Sequence, residues 1–146
     1  RGDERGDRQA WCRRPMIGLD TNVLVRYIMQ DDPEQSLLSI RLVESLSVES
    51  PGFVALVSVV ELGWVLDAAY DLDRHQIADA FEGLLRTKEI VVERAETVWK
   101  ALRIFQRTNA DLADCLIERS AAAAGCGTTV TFDRGAVKGC GMTLVT

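Results

Sequence analysis

The sequence has no apolar run long enough to cross a bilayer, and it is short of positive charge. Its 146 residues are 47% hydrophobic and 27% charged, with a formal net charge of −5 at pH 7. This balance is ordinary for a soluble globular protein of one-domain size. We therefore expect no membrane span and no membrane partner.

The sequence contains one histidine and no phosphate-binding glycine loop. The one histidine, His75, lies in the polar segment 73–76, which we expect to be an exposed helix start. A single histidine of this kind argues against a histidine-based catalytic triad and against a zinc site. Gly125-Cys126-Gly127 follows a predicted helix instead of opening one, so it does not form a P-loop or a dinucleotide-binding turn.

The four cysteines stand singly, without a CxxC pair or zinc-type spacing. They are Cys12, Cys115, Cys126 and Cys140. We expect small buried hydrophobic side chains in a reducing compartment, not a disulfide framework, and this predicts a cytoplasmic protein.

Residues 1–15 differ in composition from the rest of the chain. They hold five arginines and three acidic residues, with almost no apolar material and no secretory signal. We expect them to be a disordered leader or upstream extension, with Met16 as the natural start and residues 16–146 as one domain. That domain keeps 12 positive and 19 negative charges, a net charge of −7. Such an acidic domain does not attract nucleic acid at long range, which argues against a simple nucleic-acid-binding module.

Within residues 16–146, short apolar runs alternate with segments of helical periodicity. Strands are predicted at 17–19, 53–57, 89–92, 128–132 and 142–145, and helices at about 21–28, 33–49, 59–70, 74–87, 93–108 and 111–124. Alternating strands and helices of this kind predict an α/β fold with a parallel sheet covered on both faces.

Three of the predicted helices carry distinct apolar patterns. The spacing of Leu38, Leu42 and Leu46 predicts the apolar face of the second helix, which Leu37, Ile40 and Val43 widen. The helix at 59–70 is apolar at nearly every position, so we expect it to be buried on most sides. Trp64 and Trp99 lie on apolar helix faces and are predicted to pack in the core.

Four acidic residues occur where apolar sequence leads into them: Asp20, Glu61, Asp114 and Asp133. Each also has a structural interpretation. Asp20 could cap the helix that follows it, Asp133-Arg134 could form a turn with a surface ion pair, and Ser58-Val59-Val60-Glu61 matches a capping box. Asp111 is a natural N-cap for the helix that contains Asp114.

Their joint placement favours a functional interpretation. In a parallel sheet Asp20, Glu61 and Asp133 would follow the carboxyl ends of strands, at the edge where ligands bind in open α/β sheets. Several carboxylates in one cleft stay ionised only with a cation between them, and oxygen ligands suit Mg²⁺ or Mn²⁺. Asp111 and Glu118 lie on the same helix face as Asp114 and could assist it.

Four segments occur in order along the chain from Met16 onward: 16–22, 58–62, 111–117 and 129–134. In these segments and in their order, the chain resembles the PIN-domain ribonucleases of the VapC toxin type, the toxic half of bacterial toxin–antitoxin pairs. The departures are Ala136, where the family often has phenylalanine, and residues 1–15.

The resemblance implies an α/β/α sandwich around a short parallel sheet, and dependence on Mg²⁺ or Mn²⁺. It also implies endonucleolytic cleavage of RNA, homodimerisation and inhibition by a cognate antitoxin protein. Carried residue by residue, it assigns the catalytic and metal-binding acids to Asp20, Glu61, Asp114 and Asp133.

Two other functions remain open at the level of the sequence. An aspartate-nucleophile phosphatase would use Asp20, but such enzymes need a second acid two residues later, where Asn22 stands. A non-catalytic protein-interaction domain would use the four acids only as caps. Arg26, Arg134 and Lys138 are candidates for local contacts with RNA, although each is also an ordinary surface charge.

Overall fold

The computed structural model of the chain describes residues 16–146. The expected leader, residues 1–15, and Cys12 lie outside the described residues. In chain order the elements are β1 Ile17–Gly18, α1 Thr21–Met29, α2 Pro33–Ser45, β2 Gly52–Val54, α3 Leu56–Ala68, α4 Arg74–Arg86, β3 Ile90–Val92, α5 Ala95–Arg107, α6 Leu112–Ala123, β4 Val130–Thr131, α7 Arg134–Cys140 and β5 Thr143–Leu144. No helix within residues 16–146 is long and apolar enough to span a membrane.

These elements fall into two compact units. The first contains the described residues through Leu62 together with Leu84–Glu93, and the second contains Gly63–Gly83 and Arg94–Thr146. The first unit holds a parallel sheet in the order β1-β2-β3, and the second holds the parallel pair β4-β5. The prediction that neighbouring strands are parallel is confirmed, whereas the prediction of one continuous sheet is wrong for these residues.

In the first unit, β2 lies between two parallel neighbours. Gly52 is in register with Ile17 of β1 and with Ile90 of β3. A Cβ atom at Gly52 would come within 2.7 Å of the Leu19 side chain, so glycine permits this close packing. The core of the unit includes Leu24, Val54, Val59, Leu62 and Ile90.

The predicted buried face of α2 is correct only in part, since Val43 and Leu46 are buried whereas Leu37 and Leu38 are exposed. Asp32 caps the helix as expected, since its Oδ1 accepts a 2.9 Å hydrogen bond from the Gln35 N–H. The residues that α2 buries are Ser36, Ser39 and Val43, while Leu38 is 57% exposed. Because serine is small, a helix can approach its neighbour closely along such a face, and this requirement overrides the leucine spacing.

In the second unit, α5 packs against α6 and α6 packs against α7. Arg74, at the start of α4, ties this unit together. Its Nη2 donates to the carbonyl oxygens of Phe105, Thr108 and Ala110 at 2.6–2.8 Å, and its guanidinium lies 3.9 Å from the centroid of the Phe105 ring. The sequence interpretation of this helix start as wholly surface-like is therefore wrong for Arg74, although His75 is exposed as expected.

Helix α7 was not predicted, because Gly135 and Gly139 lower the helical propensity of its sequence. Gly139 has a structural reason, since a Cβ atom there would lie 2.6 Å from the Ala110 Cβ. Gly141 ends the helix in the left-handed region, with φ 74° and its N–H donating to the carbonyls of Ala136 and Val137.

Candidate active site

Asp20 lies at the junction of β1 and α1. It is the N-cap of α1, and its Oδ1 accepts a 2.9 Å hydrogen bond from the Thr21 N–H. The side chain is exposed, whereas Thr21 is buried. Asp20 is thus a cap, as one reading of the sequence predicted, but the bond to Thr21 occupies only one carboxylate oxygen.

Glu61 is not part of a capping box. Helix α3 begins at Leu56, three residues before the predicted start, so Ser58 already lies within it. Glu93 Oε2 accepts from the Leu56 N–H at 3.5 Å and supports the beginning of the helix instead. Glu61 is an exposed residue in the middle of α3, and the capping-box interpretation is wrong.

Asp20 and Glu61 both follow the carboxyl ends of adjacent parallel strands. Gly18 pairs with Phe53, so β1 and β2 end at the same edge of the sheet. Asp20 comes two residues after Gly18, and Glu61 is the sixth residue of the helix that follows β2, roughly 8 Å along its axis from Leu56. This edge is the one at which parallel α/β sheets present ligand-binding groups.

A second group of acids surrounds the start of α6. Asp111 is the N-cap, with Oδ1 accepting from the Ala113 N–H at 3.4 Å, as predicted. Asp114 lies in the first helical turn and is half-buried. Burial raises the pKa of the Asp114 carboxyl, and the negative charges of Asp111 and then Asp133 raise it further.

Glu118 is less suited to assist this group. Both of its carboxylate oxygens accept hydrogen bonds from the Arg119 guanidinium, at 2.5 and 2.7 Å. This fork-shaped ion pair largely neutralises Glu118. The acids whose negative charges raise the pKa of Asp114 are Asp111 and Asp133.

Asp133 is the N-cap of α7. Its Oδ1 accepts from the Gly135 N–H at 2.8 Å, and its own N–H donates to Thr131 Oγ1 at 3.0 Å. Like Asp20, it has one carboxylate oxygen oriented by the backbone, and its side chain is exposed. Two of the predicted site acids therefore share one local arrangement, a helix cap directly after a strand.

The chemistry of these donors suits a hard divalent cation, because all of them are carboxylate oxygens. The repulsion that raises the pKa of Asp114 is the kind that a bound cation relieves. Within residues 16–146, however, no three histidine, cysteine, aspartate or glutamate side chains lie close enough together to form a ready-made metal site. The donors fit Mg²⁺ or Mn²⁺ by type, and their assignment as ligands stays a prediction.

Two candidate RNA-contacting cations differ in their surroundings. Arg26 is engaged within its own unit, with Nε donating to Gln35 at 2.8 Å and Nη1 pairing with Asp31 at 3.1 Å. Arg134 is exposed beside Asp133. Arg134 is therefore better placed than Arg26 to meet a ligand.

Exposed aromatic side chains are the features that sequence reasoning missed. Trp64 is 65% exposed, which contradicts its predicted place in the core and the predicted burial of α3 on most sides. Phe132 is 82% exposed, next to Asp133. Phe132 follows the last residue of β4, so the alternation of side chains along the strand does not predict its exposure.

Two cysteines form a buried pair in the second unit. The Sγ atoms of Cys115 and Cys140 lie 3.6 Å apart, and burial raises the pKa of Cys115 to about 12. Cys115 and Cys140 confirm the prediction that the cysteines are small buried side chains. Cys126 is exposed, so the prediction is wrong for that residue.

The chain matches one known protein family. Residues 17–139 match the family model described as the PIN domain, and no curated protein matches the chain. PIN domains are generally nucleases that use divalent metals. The match, the seven helices of residues 16–146 and the short parallel strands confirm the predicted α/β class, with the three-layer α/β/α fold of that family.

Proposed function

Because the chain belongs to the PIN-domain family, we propose that it is a metal-dependent endoribonuclease that hydrolyses RNA phosphodiesters. The family match carries the nuclease activity. The proposed site consists of Asp20, Glu61, Asp114 and Asp133. Apolar sequence leads into each of these acids, and the family pattern assigns the site to the same four residues. Burial and the charges of Asp111 and Asp133 raise the pKa of Asp114, and this supports a cation beside these carboxylates of the second unit.

In this proposal the four acids are ligands and scaffold. Asp20 and Asp133 each have one carboxylate oxygen that accepts a hydrogen bond from a backbone N–H, which restrains the orientation of the side chain. Glu61 is exposed and is not needed as a cap. A bound Mg²⁺ or Mn²⁺ supplies an activated water and neutralises phosphate charge.

The test is incubation of the protein with total RNA in Mg²⁺ or Mn²⁺, with mapping of the cut ends. We expect excess chelator to stop cleavage and Asp20→Asn to lower the rate at least about 100-fold, the usual size of an electrostatic contribution at the reacting phosphate. Asp67→Asn is the matched control, because Asp67 is an exposed acid on α3 outside the proposed site.

Full activity of Asp20→Asn, or full activity in chelator, would contradict this mechanism. A trapped aspartyl-phosphate on Asp20 would instead favour the phosphatase alternative. Failure to bind Mn²⁺ together with failure to cut RNA would favour the non-catalytic interaction domain.

We further propose that the protein is the toxin of a bacterial toxin–antitoxin pair, acting in the cytoplasm as a homodimer that a cognate antitoxin inhibits. The resemblance to VapC-type ribonucleases supports this role, and exposed leucines on α2 offer apolar surface for a protein partner. Expression in bacteria should arrest growth, and co-expression of a small neighbouring open reading frame should restore it. Growth arrest that persists in the Asp20→Asn variant would contradict the proposal.

A further inference from the structure

Arg74 binds the segment that leads into the acids of the second unit. Its side chain is half-buried, and Nη2 donates to the carbonyl oxygens of Phe105, Thr108 and Ala110 at 2.6, 2.8 and 2.8 Å. The first of these carbonyls is in the last turn of α5, where the helix itself provides no donor. The other two lie between α5 and α6. A single charged side chain therefore joins the end of α5 to the residue before Asp111.

The bond to Ala110 acts directly on Asp111, the N-cap of α6. The Ala110 carbonyl and the Asp111 N–H belong to one planar peptide group, so holding the oxygen fixes the direction in which the chain enters the helix. The Asp111 carbonyl accepts from the Cys115 N–H at 3.0 Å, the first hydrogen bond of the helix. Asp114 lies in that first turn. The position of Asp114 therefore depends on how Ala110 is held.

Ala110 is also the contact point of α7, which Asp133 caps. The backbone of α7 approaches so closely at Gly139 that a Cβ atom there would lie 2.6 Å from the Ala110 Cβ and 3.3 Å from its N. Gly139 is roughly 9 Å along the helix axis from Asp133. The negative charge of Asp133 raises the pKa of Asp114, so these two carboxylates lie within electrostatic range of each other. One buried residue, Ala110, thus connects the helix that carries Asp114 with the helix that Asp133 caps.

The contacts of Arg74 depend on the shape of the guanidinium as well as on its charge. The group bonds three carbonyl oxygens and lies 3.9 Å from the centroid of the Phe105 ring. A lysine in its place would keep the positive charge but present its hydrogens from a compact ammonium group, without a planar fork that can stack on the ring. Arg74→Lys is therefore a conservative change that loosens the hold on Ala110.

We propose that Arg74 is a positioning residue for the metal site: by holding Ala110, it sets the separation between the carboxylates of Asp114 and Asp133, and with it the affinity for Mg²⁺ or Mn²⁺. This inference rests on the proposed function, since the cation is that of the proposed nuclease. Arg74 itself contacts neither the metal nor the RNA, and its effect is transmitted through Ala110.

The first test measures Mn²⁺ binding to the whole protein without RNA, by electron paramagnetic resonance of the free ion. We expect Arg74→Ala and Arg74→Lys to raise the Kd for Mn²⁺ by about 10- to 100-fold, the range for residues that orient metal ligands, with the smaller effect in Arg74→Lys. Val98→Ala is the control, because Val98 is buried in α5 but lies roughly 10 Å along the axis from Phe105. This control should lower Tm and leave the Kd unchanged.

Gly139→Ala tests the same contact from the side of α7. The added Cβ atom displaces Ala110, so we expect the Kd for Mn²⁺ to rise as it does in Arg74→Lys. Because both changes act through Ala110, the double variant should lose less affinity than the product of the two single losses. A loss equal to that product would contradict transmission through Ala110.

A kinetic test separates positioning from lost stability. At low Mn²⁺, Arg74→Lys should cut RNA with a lower kcat and an unchanged KM for RNA, and excess Mn²⁺ should restore kcat. Circular dichroism at the assay temperature verifies that the variant is folded, so the recovery measures occupancy of the metal site. A kcat that stays low in excess Mn²⁺ would contradict the proposal.

The outcomes distinguish this inference from the proposed function. A wild-type Kd in Arg74→Lys and Gly139→Ala, with RNA cleavage intact, would overturn the positioning role and leave the ribonuclease. A raised Kd in both variants of a protein that cuts no RNA would support the positioning role and overturn the ribonuclease. An equal rise in Val98→Ala would show that Mn²⁺ affinity follows overall stability, which overturns the positioning role. If the wild type binds no Mn²⁺, both proposals are overturned.

Discussion

At Asp20 and Asp133, capping a helix and binding a metal are compatible uses of one carboxylate. In each case a backbone N–H occupies one oxygen, at 2.9 Å from Thr21 and 2.8 Å from Gly135. The sequence alone presents a cap and a ligand as alternatives for Asp20, and a turn and a ligand as alternatives for Asp133, because the same residue type suits each use. The cap bond does not exclude metal binding at either position, because it engages only one of the two carboxylate oxygens.

Asp114 has an unfavourable charge in the free protein, and this predicts a stabilising substitution. The raised pKa of the Asp114 carboxyl means that the folded state binds its proton more tightly than the unfolded state does. The free energy of unfolding therefore decreases as the pH rises from about 4, near the pKa in the unfolded state, through the raised pKa of the folded state. Asp114→Asn should therefore raise Tm in EDTA at pH 7 by about 1–3 °C. Differential scanning calorimetry at pH 7 and pH 4 measures this, and the gain should disappear at pH 4.

The same variant should lose the stabilisation that Mn²⁺ gives to the wild type, together with its RNA cleavage. Asp67→Asn serves again as the control, with no gain in EDTA and a normal response to Mn²⁺. An Asp114→Asn protein that is less stable than the wild type in EDTA would show that the carboxylate has a structural role instead.

At the scale of elements, local signals predicted most helices, and long-range contacts explain the failures. Asp73 and Gln76 form a reciprocal cap at the start of α4, which is readable from four residues. The true start of α3 depends on Glu93, 37 residues away from Leu56. Neither the burial of Ser36 nor the exposure of Trp64 follows from a hydrophobic pattern, because each depends on which element packs there.

Helix α7 offers a direct test of such a long-range contact. Gly139→Ala favours the helix locally but places a Cβ atom 2.6 Å from Ala110 Cβ and 3.2 Å from its Cα, where the backbone must move. We expect a net loss of about 1–3 kcal/mol in the free energy of unfolding, measured by urea denaturation.

The matched control for that change is Gly83→Ala, in the interior of α4. A Cβ atom there meets no atom within 4 Å, so helix propensity alone should act and stabilise the protein by about 0.5–1 kcal/mol. If both substitutions stabilise the protein equally, the close contact between α7 and Ala110 does not constrain the fold.

At the scale of the molecule, the net charge constrains how the proposed RNA substrate could be bound. Residues 16–146 carry 19 acidic and 12 basic residues, and one candidate cation, Arg26, already pairs with Asp31. Few phosphates are then neutralised by side chains, and each contact contributes only about 0.7 to the salt slope for a single strand. The composition of the sequence already predicts this weak attraction of phosphates. The exposure of the Phe132 ring, by contrast, is evident only from the fold.

The salt dependence of RNA binding should therefore be shallow. At constant Mg²⁺, we expect the logarithm of the association constant to fall with the logarithm of salt with a slope no steeper than about −2, so that raising salt from about 50 to 200 mM costs at most about 15-fold. Arg134→Gln should reduce the slope by about 0.7, since it removes one contact. A loss of about 1,000-fold over the same range would mean that the protein neutralises about seven phosphates or more, and RNA binding would then depend on a basic surface instead of on a metal.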